Sequence, residues 1–230
     1  MQLIHGRVPI ELHTLRVADG PPLLLLHGLG LNSETWDDRV LDWSGGSVYA
    51  LDFAGHGRSG RLRGGAYHPE YFLADADLAL AEVGESCALL GVGIGAYVAL
   101  MLAGARPDIV LGASLQAGPG LAGIGSTPDD EVDFDDIEGF ERFIEEASRD
   151  FNAGTDPLVA LCASDLRPLD YVASFATAAT PLFFDETVGQ SDSAPAWWAV
   201  ALEANSGATV SNELSVCLAE LASRVVRPAT

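Results

Sequence analysis

Residues that could do chemistry are concentrated in three short segments, each of which follows a run of apolar residues. The segments are His27–Gly30, Asp52–Ser59 and Gly91–Ala96. The two glycines of the first segment allow the backbone to turn sharply over the edge of a sheet. His27 could transfer a proton as an acid or base, or it could organise its turn by hydrogen bonding. We therefore expect a concave site where these segments meet.

The apolar runs before these segments predict the strands that position them. Leu23–Leu26 is apolar throughout, which is typical of a buried strand in a mostly parallel sheet. Further strands are predicted at Ser47–Leu51, Cys87–Leu90, Ile109–Leu115 and Pro181–Phe184. Helical patterns alternate with these strands, and the first of them predicts a short helix at 33–43. The pattern predicts an α/β fold with helices on both faces of the sheet, as a single domain over residues 1–230.

The middle of the chain has a different composition and is predicted to be an inserted helical cap over residues 119–168. Residues 129–146 contain ten acids and one Arg. Apolar residues recur there at helical spacing, as in Ile137, Phe140, Phe143 and Ile144. We interpret this stretch as an amphipathic helix whose acidic side faces solvent.

Together the three segments resemble the motifs of the α/β-hydrolase fold family. That family has an HG-x-G loop, a D-x-x-G-H-G-x-S loop and a G-x-S-x-G nucleophile elbow, and the similarity extends over nearly the whole chain. The resemblance implies that the N–H groups of Leu29 and Ile94 bind an oxyanion. It therefore predicts a ligand-binding site at Gly28, Leu29, Gly93 and Ile94.

The sequence departs from the family pattern at the catalytic positions. Gly93 stands where the family has its nucleophile, and it has no side chain. Every His lies at or before residue 68, so none follows the last predicted strand, where the family has its base. The family's acid position matches Asp192 in Gly189–Asp192, with Asp185 as an alternative register. The resemblance thus implies a degenerate Ser-His-acid triad.

Loss of triad members typically lowers turnover by about 10⁴- to 10⁶-fold. We therefore predict a pseudoenzyme that binds a small carbonyl-containing or apolar ligand, or a partner protein. The local sequence Gly91–Tyr97 is similar to the elbow of the N-myc downstream-regulated family, which is regarded as non-enzymatic. The alternative is an enzyme with other chemistry, such as a lyase, a cyclase or a weak ester hydrolase. In that case His27, Tyr97 or Asp192 would move protons, or a nucleophile outside the elbow would act.

Composition restricts the partners. The chain has 33 acidic residues and 12 basic residues, all of them Arg, for a net charge of −21. Such a charge disfavours nucleic acid and anionic membrane surfaces. The three Cys are widely spaced, so we expect neither a disulfide framework nor a metal site. No cofactor is expected either. The chain has neither an apolar run of membrane-spanning length nor a signal-peptide pattern, so a cytoplasmic location is expected. The sequence does not indicate the oligomeric state.

Overall fold

The computed structural model describes residues 1–84, 86–121, 137–163, 168–185, 195–211 and 213–225. Within them lies an eight-stranded sheet with the spatial order β1-β2-β4-β3-β5-β6-β7-β8. The strands are β1 (Gln2–His5), β2 (Val8–Arg16), β3 (Leu23–Leu26), β4 (Val48–Asp52), β5 (Cys87–Val92), β6 (Val110–Gln116), β7 (Leu182–Asp185) and β8 (Thr209–Ser211).

The sheet is mostly parallel, as the sequence predicts. β1 and β2 form an antiparallel hairpin, and β2 pairs antiparallel with β4. All the other pairings are parallel. The four leucines of β3 are fully buried because helices cover both faces of the sheet. The carboxyl ends of β3, β4, β5 and β6 consequently meet at one edge, and the loops that follow them lie side by side.

Six α-helices are described: α1 (Pro69–Val83), α2 (Ile94–Ala105), α3 (Ile137–Ala147), α4 (Leu169–Ala178), α5 (Ala196–Ala204) and α6 (Leu214–Val225). Helices α1, α2, α4 and α5 contribute to the apolar core on one face of the sheet. Helix α6 packs with Val40 and Trp43 in the core on the opposite face. The prediction of helices on both faces is therefore confirmed.

The predicted short helix at 33–43 forms two separate 3₁₀ turns, Ser33–Thr35 and Asp38–Asp42. The Asn32 side chain accepts a hydrogen bond from the Glu34 amide, and the Asp37 side chain accepts one from the Arg39 amide. Each of these side chains caps a new turn. Two caps so close together divide the segment instead of allowing one helix to continue.

Within the segment predicted to be the cap, residues 119–121, 137–163 and 168 are described. Helix α3 buries Phe143 and Ala147, which pack on Ala160. Ile137, counted in the predicted apolar face, is 76% exposed at the first position of the helix. None of the described helices is long and apolar enough to cross a membrane.

Candidate functional site

The turn between β5 and α2 has a backbone conformation that favours glycine. Gly93 lies in this turn with φ +55° and ψ −119°. L-amino-acid side chains rarely tolerate a positive φ of this kind. The Gly93 amide donates to the Gln116 carbonyl at 3.1 Å, which ties the turn to the end of β6. Strand β5 thus ends abruptly, and α2 begins directly beneath the loop that follows β3.

Two backbone amides converge on one oxygen atom beside this turn. The Leu29 N–H and the Ile94 N–H, together called the amide pair, each donate to the Pro119 carbonyl oxygen at 3.0 Å. Leu29 and Ile94 are almost completely buried. The resemblance predicted that these two amides would face one ligand oxygen. In this structure the oxygen belongs to the chain itself, in the segment that follows β6.

The Gly118–Gly120 segment fits this position because of missing side chains. A Cβ atom added to Gly93 would lie 2.1 Å from the Pro119 carbonyl oxygen, and one on Gly28 would lie 2.8 Å from Pro119 Cδ. A Cβ atom on Gly120 would approach Leu29 Cβ to 2.7 Å. Sequence reasoning missed this segment. The signal in the sequence that could have indicated this segment is a Gly-Pro-Gly turn shortly after a predicted strand.

His27, two residues before Leu29, has both ring nitrogens bonded to the backbone. Its Nε2 accepts the Phe53 N–H at 3.1 Å, so the proton is on Nδ1, which donates to the Gly28 carbonyl at 2.8 Å. Burial lowers the pKa of His27 to about 4, although the Gly28 carbonyl and Asp52 raise it in part. The imidazole is therefore neutral near pH 7. These bonds favour the alternative in which His27 organises its turn.

His56 repeats the same arrangement in the second segment. Its ring centroid is 4.8 Å from that of His27. Its Nε2 accepts the Gly30 N–H at 3.1 Å, and its Nδ1 donates to the Ala54 carbonyl at 3.0 Å. Burial, and next the neighbouring His27, lower the pKa of His56 to about 3. The two neutral rings hold the loops after β3 and β4 against each other.

Asp52 ties three parts of the chain together at the end of β4. Its carboxylate accepts the Ser33 amide at 2.7 Å, the Arg58 amide at 2.9 Å and His13 Nε2 at 3.0 Å. Burial raises the pKa of this carboxyl, but these hydrogen bonds together outweigh burial, so the net shift is downward. Both carboxylate oxygens therefore accept hydrogen bonds that maintain the loops.

The turn that follows α3 packs directly on the loops of the site. The Asn152 amide donates to the Gly30 carbonyl at 2.7 Å, and the Asp156 amide donates to the Gly55 carbonyl at 2.7 Å. The Phe151 ring covers Gly30 so closely that a Cβ atom there would lie 2.0 Å from Phe151 Cδ1. Residues 151–156 thus cover both loops from above.

The family of the chain follows from comparison with known proteins. A model of the alpha/beta hydrolase family matches residues 23–224. The chain belongs to the alpha/beta hydrolase family.

The chain is also similar to individual members of this family and fold. It is 33% identical over 91 residues to esterase Rv0045c of Mycobacterium tuberculosis, covering 39% of this chain and 30% of the esterase. It is 33% identical over 101 residues to the pimeloyl-[acyl-carrier protein] methyl ester esterase of Vibrio campbellii, covering 44% of this chain and 38% of that esterase. The chain thus spans about a third of the length of these relatives. The bottromycin epimerase BotH, solved with bottromycin A2, has a TM-score of 0.60 and 22% identity, covering 98% of this chain and 97% of that one.

The remaining catalytic positions suggested by the family pattern lie after β7 and β8. Asp192 lies outside the described residues, whereas Asp185 is the last residue of β7 and is half-buried. After β8, the described chain resumes at the exposed Glu213. A nucleophile outside the elbow does not arise from Cys87, which begins β5 at the end of the strand opposite to the elbow and whose thiol pKa is raised to about 12 by burial.

A metal centre is not indicated among the residues that the structure describes. They contain no group of three or more His, Cys, Asp or Glu side chains that could hold an ion. Cys87, Cys162 and Cys217 are free and buried. Beside Gly93, the described residues present two backbone N–H donors in a buried setting.

Proposed function

We propose that this member of the alpha/beta hydrolase family binds a small carbonyl-containing ligand at the amide pair without hydrolysing it. The observation that carries the proposal is the convergence of the Leu29 and Ile94 amides on one acceptor oxygen beside Gly93. The donors can hold a carbonyl oxygen, while the elbow offers no hydroxyl or thiol to attack it. The amide pair and Gly93 together form a recognition site without a nucleophile.

The charge of the chain favours a neutral ligand over an anionic one. The two N–H donors would bind a carboxylate as readily as a neutral carbonyl group. The net charge of −21, however, repels anions as they approach the molecule. The oxygen that occupies the site here belongs to a neutral peptide group. Esters, lactones and amides are therefore the ligand classes that the site fits.

The alternative of non-hydrolytic enzyme chemistry requires a group that transfers protons at the amide pair. BotH, which is named an epimerase, indicates that this fold is compatible with such chemistry. His27 is one of the predicted candidates, but both its nitrogens are bonded to backbone groups. A His27 that shuttled protons would have to break a bond that holds its own loop. We therefore favour binding without turnover.

The test combines an activity assay with a binding measurement on purified protein. A panel of activated esters and lactones is incubated with the protein, with an active esterase of the family as the positive control. We expect no turnover, together with shifts of the Leu29 and Ile94 amide resonances when γ-octalactone is titrated. Turnover above about 1 s⁻¹, the low end for typical enzymes, would overturn the proposal.

A further inference from the structure

We infer that the Gly118–Gly120 segment is an internal ligand of the amide pair, which an external carbonyl compound must displace in order to bind. The inference rests on the proposed function and adds how the site is regulated. The Pro119 carbonyl oxygen already satisfies the Leu29 and Ile94 amides at 3.0 Å each. A second oxygen cannot occupy the same position, so the segment and the ligand compete for one site.

The seated segment has no side chain that blocks its approach. A Cβ atom on Gly118 would lie 2.3 Å from Val92 Cγ1 and 2.8 Å from the Gly93 amide nitrogen. Gly120 has φ +98° and lies against Leu29 and Ile94. Proline between them has no N–H group, so Pro119 presents only an acceptor to the two donors. Both glycines are therefore required for the closed state, in which the Pro119 carbonyl occupies the amide pair. In the open state the segment has left the amide pair.

Strain at the next residue opposes this closed state. Leu121 has φ +49° and is the one non-glycine residue with a positive φ among the described residues. Its side chain is fully buried, so packing holds it in a conformation that leucine rarely adopts. Backbone strain of this kind is typical of switch segments, because leaving the seated position relieves it.

The segment is connected to the turn that covers the site. The Leu121 amide donates to the Cys162 carbonyl at 2.9 Å, at the end of the 3₁₀ turn Pro157–Cys162. The same turn begins after Asp156, whose side chain accepts the Tyr67 hydroxyl at 2.9 Å and whose amide donates to the Gly55 carbonyl. Displacement of the Gly118–Gly120 segment therefore pulls on the residues that lie over both loops.

Amide hydrogen exchange measured by NMR tests this inference on the full chain. The variants are Gly118→Ala and Gly120→Ala, each of which places a Cβ atom where the segment must fit. The matched control for Gly120→Ala is Gly6→Ala in the turn between β1 and β2, because Gly6 also has a positive φ, of +63°, but nothing within 4 Å of an added Cβ atom. We expect the Leu29 and Ile94 amides to be protected in the wild type and in the control. In both test variants they should exchange at least about tenfold faster.

Binding of γ-octalactone, measured on the same proteins, supplies the second readout. If only the open state binds the lactone, the apparent affinity of the protein for the lactone rises in proportion to the fraction of molecules in the open state. The fold-change in lactone affinity should then equal the fold-change in exchange of the two amides. Exchange at Leu25 in β3 is followed alongside, since a variant that unfolds globally accelerates that amide as well.

The outcomes separate the two claims. Fast exchange of the Leu29 and Ile94 amides in the wild type, with lactone binding unchanged by the variants, would overturn the internal ligand and leave the proposed function in place. Absence of lactone binding in every protein, with the amides protected in the wild type and exposed in the variants, would overturn the proposed function and displacement by ligand with it. Matching changes in exchange and affinity support both.

Discussion

At the scale of single residues, Gly93 has both a conformational and a packing role. Its φ of +55° favours glycine, and the space its side chain would fill is occupied by the Pro119 carbonyl group. The absence of a nucleophile and the presence of the Gly118–Gly120 segment are therefore linked. The Cβ atom of a serine at position 93 would overlap the Pro119 carbonyl group while the segment occupies the amide pair.

The two contributions of Gly93 can be separated by comparison with Gly6. Gly6 has a similar φ of +63°, but nothing lies within 4 Å of its added Cβ atom. Gly6→Ala should cost about 1 to 2 kcal/mol of unfolding free energy, from backbone strain alone. Gly93→Ala should cost about 1 to 3 kcal/mol more, because the methyl group overpacks the turn. Urea denaturation of both variants measures this difference. Equal losses of unfolding free energy in the two variants would contradict the close contact between position 93 and the Pro119 carbonyl group.

The two buried histidines predict a loss of stability in mild acid. Burial lowers the pKa of His56 to about 3 from the usual 6.5, so below pH 6.5 the unfolded state takes up a proton that the folded state excludes. The free energy of unfolding should therefore fall as the pH is lowered from 6.5 toward 4, by on the order of 3 kcal/mol for this residue.

The measurement is the unfolding free energy of His56→Gln against pH, compared with the wild type. Glutamine retains one donor and one acceptor, so the decrease attributable to His56 should disappear. His68→Gln is the control, because the side chain of His68 is 55% exposed. A variant His56→Gln that keeps the wild-type slope would contradict the assignment.

At the scale of elements, a buried carboxylate connects the amino-terminal hairpin, α1 and the loop after β4. Asp75 of α1 bonds His5 Nδ1 of β1 at 2.6 Å and accepts the Ala54 amide at 2.9 Å. Ala54 lies in the same loop as His56. The hairpin therefore supports the site through α1, although it lies at the far edge of the sheet.

Asp75 should oppose the histidines in its effect on pH dependence. Burial raises the pKa of Asp75 to about 6 from 3.8, although the Ala54 amide and His5 offset part of the shift. The folded state thus holds a proton that the unfolded state releases, so this contribution to stability is lost as the pH rises from about 4 through 6. Asp75→Asn should gain about 3 kcal/mol relative to the wild type between pH 4 and pH 7. Chemical denaturation at the two pH values measures this gain, and a constant difference would refute it.

At the scale of the whole molecule, the net charge of −21 disfavours the compact state. Twelve Arg and no Lys are dispersed among 33 acids, so self-repulsion exceeds local pairing.

Screening of this repulsion should stabilise the protein. Raising NaCl from low to moderate concentration shortens the range of the repulsion between acidic groups, so the free energy of unfolding should increase. The melting temperature should rise by about 2 to 4 °C for each 1 kcal/mol of added unfolding free energy. Scanning calorimetry across a salt series measures this change. Sucrose, which stabilises without screening charge, is the comparison. A melting temperature that stays flat or falls with NaCl would show that repulsion is not limiting.

The strands and turns of the fold could be predicted from the sequence because their determinants are local. The run Leu23–Leu26 forms the central β3, and the glycines after β3 and β5 mark the turns. The segment at 33–43 was predicted less well, because the capping side chains of Asn32 and Asp37 divide a helical pattern into two turns. In the candidate site, the sequence identified Leu29, Gly93 and Ile94 but not the Gly118–Gly120 segment.

What the sequence determined by itself was the α/β architecture, the absence of a side chain at position 93 and the absence of any His beyond residue 68. What only the tertiary structure decided was the partner of the two amides. Leu29, Ile94 and Pro119 are far apart along the chain, and they meet because β3, β5 and β6 are neighbours in the sheet. A hydrogen bond between backbone groups leaves no side-chain pattern in the sequence. Only the packing of those three strands brings the Pro119 carbonyl to the amide pair.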